Sequence, residues 1–186
     1  MRAVIVNKFC IQNSGVGLWL KFSESFQDWG IKIFYNFEME ELLGTTLKSK
    51  TGDADGTSLK AAQVVCLYFT ASWSPPCRRF TPILAEFYKE VNSLKAGLEI
   101  VFVPCCKNEE EFTKYYEEMG WLALPWSEMT KINSLKAQYK VQQIPTLVVL
   151  DPECKVVSEN GRAEVMKDGE KAFLNWGGTE TDAINK

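Results

Sequence analysis

The side chains best equipped for chemistry are six cysteines, at positions 10, 66, 77, 105, 106 and 154, in a chain of 186 residues that has no histidine. Thiols exchange with disulfides and act as nucleophiles once ionised. The missing imidazole removes Ser-His-Asp hydrolysis, histidine general acid–base catalysis and His-ligated metal sites. No C-x-x-C pair exists, and no thiol spacing matches a zinc site, so no metal is expected. Two arrangements stand out: the vicinal pair Cys105-Cys106, and Cys77 at the end of the run Trp73-Ser74-Pro75-Pro76-Cys77. A thiol in the first turn of a helix sits where the helix dipole favours negative charge. The other thiols have plain readings: Cys66 fills core volume within a strand, Cys154 is an exposed thiol in a hairpin turn, and Cys10 has no assigned element.

Positioning Cys77 requires a strand that ends just before Trp73 and a helix that starts just after Ser74. Val64 to Thr70 (VVCLYFT) is an apolar, β-branched and aromatic run of strand length, as expected of a strand buried on both faces. A helix is expected from about Pro76, with Phe80, Ile83, Leu84, Phe87, Tyr88 and Val91 on one face and Pro82 as a kink. Leu98 to Val103 reads as a second buried strand, parallel to the first through that crossover. Asn108 caps a helix opening with Glu109, Glu110 and Glu111, which carries Phe112, Tyr115, Tyr116 and Met119 on one face. Tyr115, Tyr116 and Trp121 read as core residues with polar tips at the rim. Thr130 is the expected N-cap of a helix bearing Ile132, Leu135 and Tyr139. Thr146 to Leu150 is a strand, with Val156 to Ser158 returning beside it. Upstream, Phe37 to Leu43 reads as a helix stopped by Gly44, Thr45 to Ser49 as an edge strand, and Thr51 to Ser58 as a turn. The tail from Arg162 reads as a last short helix. The order describes an α/β fold with a central mixed sheet flanked by helices on both faces.

Composition supports one globular domain with an appendage: 46% of residues are hydrophobic and 24% charged. The even cysteine count does not demand a disulfide framework in a chain this rich in core residues. Twenty-one basic against 24 acidic side chains give a net charge of −3, which argues against a nucleic-acid partner. The uncharged stretch Phe9 to Leu20 falls short of the roughly 20 apolar residues of a membrane span. An intracellular location is expected, with cytoplasm, cilium and mitochondrion all open. Residues 1–34 hold Phe9, Trp19, Phe22, Phe26, Trp29 and Phe34 without a clean period. They are expected to form a docking arm for a protein partner or large complex, ahead of a core domain at 35–178 and a flexible tail at 179–186.

The segment LYFTASWSPPCRRFTP resembles the active-site segment of the thioredoxin superfamily, in its tryparedoxin and nucleoredoxin branch. The resemblance continues through VFVP at 101–104, Tyr115 to Pro125, Ile144-Pro145-Thr146-Leu147, Gly161-Arg162 and Lys167-Asp168, from about Leu42 to Trp176. It implies a thioredoxin fold and disulfide reduction by a W-C-P-P-C pair, whose first cysteine attacks and whose second resolves the mixed disulfide. It needs no cofactor. Trp73, Pro75, Pro76, Cys77, Arg78 and Phe80 match that pattern. Ile144-Pro145 matches the cis-proline that faces the site, where a substrate backbone would lie, and Tyr68 stands where thioredoxins proper have a buried acid.

Ser74 departs from the pattern: it occupies the attacking position, and a hydroxyl has no sulfur to exchange. Three accounts fit. The chain is a degenerate member serving as a non-catalytic interaction or structural subunit; or it is an oxidoreductase whose nucleophile has been replaced by engineering; or residual redox chemistry uses Cys77 with Cys105 or Cys106 as auxiliary thiols. The plainest reading of the vicinal pair is that it is incidental.

Overall fold

The computed structural model describes residues 39–54, 59, 61–93 and 97–179. The expected docking arm at 1–34, Cys10 and nearly all of the C-terminal tail lie outside them. Among the described residues seven strands form one sheet: β1 (Leu47–Ser49), β2 (Gly52–Ala54), β3 (Val64–Thr70), β4 (Leu98–Pro104), β5 (Leu122–Ala123), β6 (Thr146–Leu150) and β7 (Val156–Ser158). Their spatial order is β2-β1-β5-β4-β3-β6-β7, with β3, β4 and β5 parallel and the remaining pairings antiparallel. Among the described residues these helices accompany the sheet: α1 (Pro75–Ser93), α2 (Glu109–Tyr116), α3 (Met129–Gln138), α4 (Gly161–Asp168) and α5 (Lys171–Asn175).

β3 and β4 are buried along their whole length, as their mainly apolar runs require, with buried Glu99 of β4 accepting from the Tyr88 hydroxyl at 3.0 Å and from Ile100 N–H at 3.1 Å. Strand alternation then divides the core in two. Val64, Cys66 and Tyr68 face one layer with Phe80, Leu84 and Phe87 of α1, Phe112 and Tyr115 of α2, and Val165 of α4. Val65, Leu67 and Phe69 face the other, with Ile132 and Leu135 of α3 and the helical turn at Met39–Leu43. α4 comes so close to β6 that a Cβ on Gly161 would lie 2.8 Å from Val149 Cγ2 and 2.9 Å from the Leu147 carbonyl oxygen. Only glycine fits there.

Several sequence expectations need correction. Thr45 to Ser49 does not give an edge strand, because β1 lies between β2 and β5. The edge is β2, inside the stretch expected to be all turn. Its turn is only Lys50-Thr51: Gly52 takes φ +124°, and the Ser49 hydroxyl donates to the Gly52 carbonyl at 2.8 Å. Glycine and aspartate density therefore marked a tight hairpin. Thr130 is not an N-cap. The Glu128 carbonyl accepts the first helical bond, from Ile132 N–H at 3.0 Å, so Thr130 falls inside the first turn of α3. Ile83 is 43% exposed on the outer face of α1. β5 is too short for a periodic signal, and the tail forms two helices instead of one.

The other ends follow their local chemistry. Gly44 stops the Met39–Leu43 turn at φ +90°. Asn108 caps α2, its side-chain oxygen accepting Glu111 N–H at 2.8 Å. Lys50 Nζ closes the other end of α2, 2.8 Å from the carbonyls of both Tyr116 and Glu117.

Candidate active site

Strand register brings three loops to one edge of the sheet. Thr70 pairs with Pro104, so the residues after β3 and β4 emerge together. Phe69 pairs with Thr146 in the opposite sense, so Ile144-Pro145 arrive at that edge as Thr70-Ala71 leave it. The Ile144-Pro145 bond is cis, as the motif implied. Ile144 is half-buried and Pro145 buried. Hydrogen bonds tie the first two loops: Cys105 N–H donates to the Thr70 carbonyl at 2.9 Å, and Trp73 Nε1 donates to the Cys105 carbonyl at 3.1 Å. The Trp73 ring remains 47% exposed, with Lys107 Nζ 5.7 Å from its centroid.

Ser74 lies at the turn into α1. Its N–H donates to the Ala71 carbonyl at 3.3 Å, and its carbonyl accepts Arg78 N–H at 3.1 Å. Its side chain is nearly covered, at 5% exposure. Pro75 is exposed and Pro76 half-buried, while Cys77 is fully buried one turn into the helix. Arg78, matched to the motif, donates from its guanidinium to the Ser72 carbonyl at 2.6 Å and braces the loop.

Beneath Cys77 lies a group of hydroxyls whose connections the sequence reading missed. Thr81 Oγ1 donates to the Cys77 carbonyl at 3.0 Å. Having given away its only proton, it must accept from both neighbouring phenols, Tyr68 at 3.0 Å and Tyr115 at 2.5 Å. Tyr115, in turn, accepts from Thr70 Oγ1 at 3.2 Å. This order needs both phenols protonated, and burial, the largest influence on each, pushes both up from their ordinary value. Where thioredoxins proper place a buried acid, this chain has neutral hydroxyls. Tyr115, Tyr116 and Trp121 do not turn their polar tips to the rim as expected. All three are buried, the Tyr116 hydroxyl lies 2.8 Å from the carbonyls of Lys48 and Trp121, and the Trp121 indole N–H has no partner among the described residues. The sequence signal that could have revealed the network was Thr81 four residues after Cys77, one helical turn on.

Among the described residues, Cys66, Cys77, Cys105 and Cys106 are free thiols. Cys66 is fully buried in β3, as expected of core filler, and burial holds its thiol far above the ordinary range. Cys154 is half-buried instead of exposed, its sulfur 3.7 Å from that of Met39. Cys106 is buried, and burial first, with Glu111 adding to it, pushes its thiol up to about 11 against the Ser72 backbone. Cys105 is half-buried. Burial raises its thiol too, with the Lys136 ammonium as the first influence in the opposite direction. A groove of about 590 Å³ lies elsewhere, between Glu41-Leu42 and α3, and includes none of the motif residues.

Comparison with known proteins agrees with this geometry. A family model described as thioredoxin-like matches residues 62–156. The chain is 38% identical over 148 residues to the nucleoredoxin of Danio rerio, an alignment covering 80% of this chain and 34% of that protein. The chain thus spans about a third of the length of the nucleoredoxins it matches. It is also 38% identical over 133 residues to the tryparedoxin of Trypanosoma brucei brucei, covering 71% of this chain and 91% of that one. The solved structure of tryparedoxin from Trypanosoma brucei superposes with a TM-score of 0.66 over the same shares. The strand–turn–helix around Cys77, the cis-Pro145 loop and these relatives agree, and the chain belongs to the thioredoxin-like superfamily, in its tryparedoxin and nucleoredoxin branch.

Proposed function

We propose that this protein keeps the binding surface of a thioredoxin fold while its WSPPC motif no longer cycles between dithiol and disulfide, and that it serves as a non-catalytic interaction or structural subunit. The observation that carries this reading is Ser74 at the turn into α1 with Cys77 fully buried behind it. A mixed disulfide needs an accessible sulfur at the first position, and an oxygen there cannot provide it. Trp73, Pro75, Pro76, Ile144 and Pro145 would form the surface a partner meets. Residues 1–34 would supply a separate docking arm.

The redox part is tested by thiol-driven reduction of insulin disulfides. The chain as it stands is expected to give background turnover, and Ser74→Cys is expected to raise it at least tenfold by restoring a sulfur beside Cys77. Equal and substantial turnover by both proteins would overturn the reading. The docking part is tested by deleting residues 1–34. The shortened protein should retain its far-UV circular dichroism and lose co-purification with its assembly, and full retention of the assembly would remove the arm from the proposal.

A further inference from the structure

The groove of about 590 Å³ between the Met39–Leu43 turn and α3 has an apolar floor and an acidic rim. On the floor, Leu135 is buried and Leu42 and Cys154 are half-buried, all of them packed in the second core layer. On the rim, Glu41 and Glu128 are both exposed. Lys131, the cation among the lining residues, donates from its ammonium to the Glu41 carbonyl at 3.0 Å. Such a groove suits an apolar side chain flanked by a positive charge. Residues 1–38 join the fold at Met39, the first residue of the turn that supplies one wall. Within them, residues 1–23 carry Arg2, Lys8 and Lys21 and no acid, whereas Glu24, Asp28 and Glu38 come after. The run Trp19-Leu20-Lys21-Phe22 sets a cation directly among three large apolar side chains. At up to about 3.6 Å per residue, the positions between Phe22 and Met39 suffice for the chain to fold back over the turn. Tethering over that distance keeps the run at a local concentration of roughly millimolar, an advantage no foreign segment or second copy shares.

We propose that the groove between the Met39–Leu43 turn and α3 is the seat of this chain's own Trp19-Leu20-Lys21-Phe22 segment. The aromatic side chains cover Leu42 and Leu135, and Lys21 meets the acidic rim of Glu41 and Glu128. Large aromatics supply most of the contact, since each buries about 150–250 Å². The charge selects among the aromatics of the arm: Phe26 and Trp29 lie close to Glu24 and Asp28, which the rim would repel. A partner that draws the arm away would thereby uncover the floor of the groove. The seat concerns the isolated chain, so its failure would leave the partner-docking reading of residues 1–34 to its own test.

The test uses two reporter substitutions in the full chain, Ser134→Cys and Asn133→Cys. Both positions are exposed on α3, but of the two only Ser134 lines the groove. Each reporter is labelled with N-ethylmaleimide, a neutral reagent, and the label is followed at that position by mass mapping over time. Adding Trp19→Ala with Phe22→Ala is expected to speed labelling at position 134 at least fivefold and to leave position 133 unchanged. These changes lie in the arm, outside the core, so they test the seat without disturbing the fold. Lys21→Glu should speed position 134 by a smaller factor, about two- to threefold, because it turns an attraction to the rim into a repulsion. Raising the salt from roughly 0.05 M to 0.5 M should speed position 134 in the otherwise unaltered chain and have no such effect beside Lys21→Glu. The proposal is overturned if the aromatic substitutions leave the rate at position 134 unchanged, or if they speed positions 133 and 134 alike. It is equally overturned if protection at position 134 fades on dilution while light scattering shows a dimer dissociating, which would make a second copy the occupant.

Discussion

Thr81 has one hydroxyl proton and three polar neighbours, and this imbalance fixes the direction of every hydrogen bond beneath Cys77. Replacing it with valine keeps the volume but leaves the Tyr68 and Tyr115 hydroxyls without their acceptor at a buried position. A buried polar group stripped of its partner costs about 1–3 kcal/mol. Thr81→Val should therefore lower the urea midpoint by that order, with Thr81→Ser close to the parent; an unchanged midpoint would mean that the phenols find other partners. What was legible at this scale was what lies together in the chain. Trp73 to Cys77 can be read as a motif because five neighbours carry it. Thr81 and Tyr115 reach the same site from two helices, and no spacing in the sequence connects Tyr115 to Thr81.

At the scale of elements, the strands and helices that frame the site follow from pattern alone. β3, β4 and β6 are apolar enough to be strands wherever they lie, and α2 announces its start through Asn108 and three glutamates. The elements that escaped are those whose existence depends on a neighbour. β5 has two residues and is a strand because β4 offers it a parallel edge, while β2 is a strand because Gly52 lets the chain fold back on β1. Glu128 starts α3 because Pro125 to Glu128 already turns, the Glu128 N–H donating to the Pro125 carbonyl at 3.0 Å. Local propensity cannot see such tertiary support. The position of Cys105 has the same origin: its place beside Trp73 comes from the β3–β4 register.

The molecule as a whole carries many buried groups that must stay neutral. Burial raises Tyr116 and Tyr139 from 10.0 to about 12, and Cys106 from 9.0 to about 11. Each group is an acid whose folded value exceeds its unfolded one, so the folded state binds more protons between the two values. Stability is then fully present below about pH 9 and falls as pH rises toward 12. Urea midpoints measured from pH 8 to pH 11 should stay level at first and decline above pH 9 to 10; a midpoint that holds through pH 11 would contradict the neutral core. The sheet itself ends in short strands on both sides, β2 and β7 having three residues each. On β7, Val149 pairs with Ser158 but Leu150 pairs with Val156, which leaves Val157 as an extra residue in the ladder. Val156 and Val157 are both exposed on this open edge, where a regular strand would be a template for fibrous stacking. The bulge spoils that template, so the hydrophobic edge can face a crowded solution without recruiting copies of itself strand by strand.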